Sequence, residues 1–141
     1  MAALADDRLT EQLGSFPIPV TIKAPVKGST ILYAGGLGCL DASGRAVPGA
    51  TATTLRAAGR IRARYDNSGG SDGDIYAELE RGVFRFNNST STDEIAQADV
   101  LNTCYIVDDQ TVAKTDGSSA RSVAGKIIGV DADGVWVLVG G

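Results

Sequence analysis

Thr103-Cys104-Tyr105-Ile106-Val107-Asp108-Asp109-Gln110-Thr111-Val112-Ala113-Lys114-Thr115-Asp116, followed by Val123-Ala124-Gly125-Lys126-Ile127-Ile128-Gly129-Val130, is the stretch that decides the fold class. It alternates apolar and polar residues, turns on an acidic pair, alternates again and ends in an apolar run punctuated by glycine. A period of two marks strands with one face in a core, and Asp-rich breaks between them mark turns. The spacing predicts a hairpin from Thr103–Val107 to Thr111–Ala113 around Asp108-Asp109-Gln110. A further hairpin is predicted from Ile127–Val130 to Val135–Val139 through Asp131-Ala132-Asp133-Gly134.

The rest of the chain agrees with an all-β reading. Its 141 residues suit one domain that buries roughly 70% of its unfolded surface. Apolar residues make up 43% and charged residues 21%, a globular balance. Glycine is abundant at 18 residues, which favours short strands joined by tight turns. The net charge of −4 argues against nucleic acid as the main partner. Cys39 and Cys104 stand alone without metal-ligand spacing and read as two buried, reduced thiols. The N-terminus shows no signal peptide, and no run approaches the roughly 20 apolar residues of a membrane span. The expectation is a soluble protein made in the cytoplasm.

Residues 1–25 read as an extended N-terminal arm preceding a body over 26–141. Asp6 to Leu13 is predicted as a short helix ended by Gly14. Phe16-Pro17-Ile18-Pro19-Val20 must be extended because of its prolines, and Val20 to Lys23 alternates up to Pro25. Phe16, Ile18, Val20 and Ile22 are the apolar residues such an arm would bury on another surface. The alternative is a first edge strand on the protein's own sheet.

Within the body, Leu55 to Tyr65 and Ile75 to Arg81 flank the loop Asp66 to Asp74. A hairpin symmetric about Gly70 sets Arg62 opposite Glu78, Arg60 opposite Glu80 and Arg64 opposite Tyr76, a favourable cross-strand arrangement. Ile61 and Ala63 then face Ala77 and Leu79 as core. Ser91-Thr92-Asp93-Glu94 has capping-box spacing and predicts a short helix to about Ala98. Ile127–Val130 and Val135–Val139 are apolar on both faces. One face belongs to a core; the other needs a second layer or a second subunit. Ile128, Val130, Val135, Trp136 and Val137 are the residues in question, and self-association is the economical explanation.

Catalytic constellations are weak. The chain has no histidine, the usual general base near neutral pH. Ser122 and Lys126 stand about 13 Å apart on a strand, too far for a Ser–Lys pair. The Asp66–Asp74 loop lacks the spacing of a calcium loop, and Asp108/Asp109 and Asp131/Asp133 fall in predicted turns. Gly35-Gly36-Leu37-Gly38 lacks the Lys-Ser/Thr of a phosphate loop. Arg56, Arg60, Arg62 and Arg64 form a basic series, but facing Glu78 and Glu80 it is neutralised. The reading is a protein with no catalytic residues, no metal and no cofactor.

Four passages taken in order resemble the head decoration (capsid cement) proteins of tailed bacteriophages. They are Gly28 to Pro48, with Cys39-Leu40-Asp41-Ala42-Ser43-Gly44-Arg45-Ala46-Val47-Pro48 at its end; Asn67 to Phe84; Cys104-Tyr105-Ile106-Val107-Asp108-Asp109-Gln110-Thr111-Val112; and Ala124 to Val137. The resemblance spans about residues 20 to 139. It implies a small β-barrel or β-tulip-like body with an extended arm, assembled as a homotrimer on the outer surface of the virion capsid. The implied partner is the major capsid protein of an HK97-like shell. Rival readings are another virion part, such as a head-completion, connector or tail protein, and a carbohydrate-binding, adhesin-like module. The last would need an exposed aromatic platform, and Trp136 sits in a strand that reads as buried.

Overall fold

The computed structural model describes residues 5, 6, 9 and 20–140, and within them the protein is all-β. The strands are β1 (Thr21–Pro25), β2 (Thr30–Leu32), β3 (Leu37–Leu40), β4 (Ala46–Pro48), β5 (Arg56–Ile61), β6 (Tyr65–Asn67), β7 (Tyr76–Glu80), β8 (Gly82–Phe86), β9 (Thr103–Ile106), β10 (Val112–Ala113), β11 (Val123–Asp131) and β12 (Gly134–Val139). They form a first sheet in the order β1-β7-β5-β3-β4, a second in the order β10-β9-β11-β12-β8, and a ribbon of β2 with β6. Both hairpins expected in the C-terminal third are present, as β9–β10 and β11–β12.

Each five-stranded sheet curls until its two edges meet at one parallel bridge. In the first, Val26 bridges Ala46, and Lys27 N–H donates to Ala46 O at 3.2 Å. In the second, Asn87 bridges Thr111: Asn87 N–H donates to Gln110 O at 2.7 Å and Val112 N–H to Asn87 O at 3.0 Å. Among the described residues neither sheet closes into a full barrel, and the body is the small all-β one expected, built of two curled open sheets.

Each curl wraps its own core. The first core holds Val26, Leu32, Ala46, Ala58, Ile61, Ala77 and Leu79. The second holds Phe86, Ile95, Cys104, Ile106, Val112, Ile127, Val135, Val137 and Val139, with Leu37 and Cys39 joining from β3. Strand β3 is thus a wall between the two. Its odd positions, Leu37 and Cys39, enter the second core, while Leu40 packs on the first. A Cβ on Gly38 would lie 2.6 Å from Leu79 Cδ2. Gly59, paired with Gly38 on β5, is tighter still, because a Cβ there would lie 2.3 Å from Glu80 O. Burial pushes both cysteine thiols up to about 12, and both are free. They are inert small apolar residues here.

The Arg/Glu register is as the charge pattern predicts. Arg60 pairs with Glu80 and Ile61 with Leu79. Arg62 Nη1 lies 2.6 Å from Glu78 Oε2, and Arg60 Nη2 lies 2.9 Å from Glu80 Oε2. Beyond Arg62 the prediction fails. Arg64 stacks over Tyr33 at 5.0 Å and not on Tyr76, and Ala63 is exposed. The cause is Asn67, whose buried amide nitrogen donates to Val26 O, Lys27 O and Ser71 O at 2.9–3.1 Å. It ties β6 to β2 and pulls the chain off β7.

Two other expectations change. Thr21–Pro25 is the edge strand of the first sheet, fully paired with β7 from Thr21↔Glu80 to Pro25↔Tyr76, so these residues belong to the body. Proline is tolerated there because an edge strand has a side that needs no ladder bond. The helix expected from Ser91 to Ala98 is instead two single 3-10 turns, Ser91–Asp93 and Gln97–Asp99. The Asp99 carboxylate accepts the Ala96 N–H at 2.8 Å, so the capping residue is not the one that the spacing picked. Of the helix expected over Asp6–Leu13, Asp6 and Leu9 are described and neither is helical. Phe16 and Ile18 lie outside the described residues.

Two outcomes test this packing. Gly59→Ala should destabilise the fold by about 1–3 kcal/mol, since the carbonyl it meets is backbone and cannot swing away; equilibrium denaturation measures it, and no loss would refute the close approach of β5 to Glu80 at this position. A double-mutant cycle on Arg62→Ala and Glu78→Ala should return a coupling of about 0.2–1 kcal/mol, small because both side chains are half exposed. Strict additivity would reject the pair.

Candidate protein-binding surface

The second sheet has an inner and an outer face, and the cross-strand register assigns residues to each. Val135 and Val137 point inward and are fully buried, with Val130 half-buried against the same core. Trp136 alternates to the outer face and is 38% exposed. Ile128 occupies a β-bulge, where the register of β11 on β12 shifts between Ile127 and Gly129, and it is 40% exposed. Bulges re-aim side chains. Of the five residues singled out for these strands, three therefore build the core and two face outward.

Trp136 is not the buried residue expected. Its ring lies by Gly129, its partner on β11, where a Cβ would sit 3.6 Å from Trp136 Cδ1. The Arg85 guanidinium stands 5.3 Å from the ring centroid, and the indole N–H donates to Asp131 Oδ2 at 3.1 Å. Arg85 also lies 3.9 Å from both Asp131 and Asp133. Backbone N–H donation from Asp133, then the indole bond, then the charge of Arg85 hold the Asp131 carboxyl below its ordinary range. Trp136 is thus locked in orientation with its polar edge engaged, an apolar anchor more than a sugar platform.

Leu101 was not anticipated. Its N–H donates to Ile127 O at 2.7 Å, and Asn102 O accepts the Ile127 N–H at 2.9 Å, which sets the Leu101 backbone against Ile127, the neighbour of Ile128 in the chain. It is 66% exposed with φ +75°. Of the five non-glycine residues with positive φ among those described, four are serines and one is this leucine. A left-handed conformation costs an L-residue roughly 1–2 kcal/mol. No sequence signal marks Leu101, since the neighbouring Asn102 is the residue type that usually takes such a position.

The remaining candidates are engaged within the fold. Val20 and Ile22 are half-buried, and Ile22 packs on the first core. Arg60 pairs with Glu80 and lies 4.5 Å from the Phe84 ring, and Arg56 donates to Asp41 O. Asp66, Asp72 and Asp74 each accept a backbone N–H in the loop region. A groove of about 490 Å³ runs between the sheets past Arg56, Arg121 and Ser122. Ser122 Oγ already donates to Ala52 O and accepts from Leu55 N–H, and Arg121 pairs with Asp93. Among the described residues no group of three or more Cys, Asp or Glu side chains could hold a metal ion. No helix there is long and apolar enough to cross a membrane.

The lone tryptophan reports on this surface. A depressed carboxylate keeps its contacts above the ordinary value of 3.8 and loses them as pH falls through the lower folded value. Trp136 emission should therefore hold steady as pH drops past 3.8 and change only below it; a transition at or above 3.8 in a still-folded protein would contradict the Asp131 bond. No family model, curated protein or solved structure matches the chain.

Proposed function

We propose that the chain is a non-catalytic protein that decorates the outside of a tailed-phage head and holds neighbouring major capsid subunits together. The observation that carries this reading is the ordered succession of the four sequence passages that resemble capsid cement proteins, from Gly28 to Val137. A second observation agrees with it: Ile128 and Trp136 face outward from the second sheet and Leu101 is exposed next to β11. Such a surface serves binding and not chemistry.

The physics of the task suits a small, stiff β-protein. Internal pressure separates capsid subunits, and a ligand that binds only the expanded lattice stabilises it by mass action. Copies joined in one assembly add avidity without new contacts. Phe16, Ile18 and Val20 remain candidates for capsid contact, whereas Ile22 is committed to the protein's own core.

Co-sedimentation of the purified chain with expanded heads that lack it, beside unexpanded proheads, tests the proposal. Saturable binding to expanded heads alone is expected. Absence of binding to both would overturn the decorating role in favour of a connector or tail component.

A further inference from the structure

We propose that the outer face of the second sheet pairs with the same face of a second copy of this chain, about a two-fold axis passing near Ile128 and Trp136. The inference goes beyond head decoration and does not depend on it. It also departs from the three-fold assembly that the family resemblance implies.

The occupant follows from the charges along β11. Its exposed residues run Val123, then Lys126, then Ile128, then Asp131, with Trp136 beside Gly129 on β12. Lys126 is exposed and has no carboxylate within 4.0 Å among the described residues. At the other end, Asp131 and Asp133 share the single cation Arg85 at 3.9 Å, leaving a net negative charge, and the Asp133 side chain is 77% exposed. From Lys126 to Asp131 the strip is therefore positive at one end, apolar in the middle and negative at the other, with its ends roughly 15 Å apart. A two-fold axis through the apolar middle sets each Lys126 against the acidic end of its partner. It also sets the apolar row on itself, as an isologous contact requires.

The strain at Leu101 fits the same picture. In the free chain a left-handed leucine is unfavourable in conformation and in exposure. Next to β11, its side chain is placed to be covered by the partner's apolar row. Leu101→Gly removes the side chain and suits φ +75°, so the two effects separate.

Sedimentation of the full chain over a concentration series tests this, with circular dichroism to confirm folding. The wild-type chain should show a concentration-dependent dimer. Leu101→Gly should raise the thermal midpoint of the monomer or leave it unchanged, while weakening the dimer by about fivefold or more. Lys126→Asp and Asp133→Lys should each weaken the dimer, and the double exchange should restore it. A wild-type chain that stays monomeric, a closed trimer insensitive to these variants, or a charge exchange without rescue would each overturn the proposal. Head binding read in parallel distinguishes failure of this face from failure of the decorating role.

Discussion

The position of β3 between two cores, with the small residues of β5 beside it, is the constraint on which the structure depends. One small wall must serve two cores. The residues at the crossing are accordingly small: Gly38 and Cys39 on β3, and Ala57, Ala58 and Gly59 on β5. Larger side chains at Gly38 and Gly59 would collide with Leu79 and with the Glu80 backbone of β7. Close approach of the strands lets each sheet curl far enough for its edges to meet at Val26–Ala46 and Asn87–Thr111. The curl hides much of the edge hydrogen-bonding capacity that would otherwise invite aggregation.

The same economy governs the polar groups. Carboxylates in the turns accept backbone N–H groups from residues two or three positions on, as Asp66, Asp108 and Asp131 do. Arg60 and Arg62 lie against Glu80 and Glu78, Arg64 lies over the Tyr33 ring, and Arg56 donates to Asp41 O. The second sheet leaves Val83, Val123, Ile128 and Trp136 exposed, with the strained, exposed Leu101 bonded to Ile127 and with Lys126 lacking a carboxylate within 4.0 Å among the described residues. This convergence of independent features on one sheet directs a functional reading toward binding.

The hairpin around Arg62 shows how far local pattern reaches. Its register was legible because alternating charges on adjacent strands admit one pairing that joins opposite signs and also buries Ile61 and Leu79. Past Arg62 that logic ended, where the Asn67 side chain bonds back to Val26 and Lys27. Likewise the capping-box spacing at Ser91 was sound chemistry in the wrong place. Asp99, bonding Ala96, supplied the carboxylate, and neither turn grew into an α-helix.

The β class, the C-terminal hairpins, the Arg60–Glu80 and Arg62–Glu78 pairs and the buried thiols were legible in the sequence alone. Each of these rests on periodicity or on partners close along the chain. Only the tertiary structure decided that Thr21–Pro25 is an edge strand, that Trp136 and Ile128 face out while Val135 and Val137 face in, and that Leu101 stands exposed beside them. The physical reason is that a period of two separates the faces of a strand without saying which is covered. When both faces are apolar, the choice falls to the curl of the sheet and to a single bulge between Ile127 and Gly129.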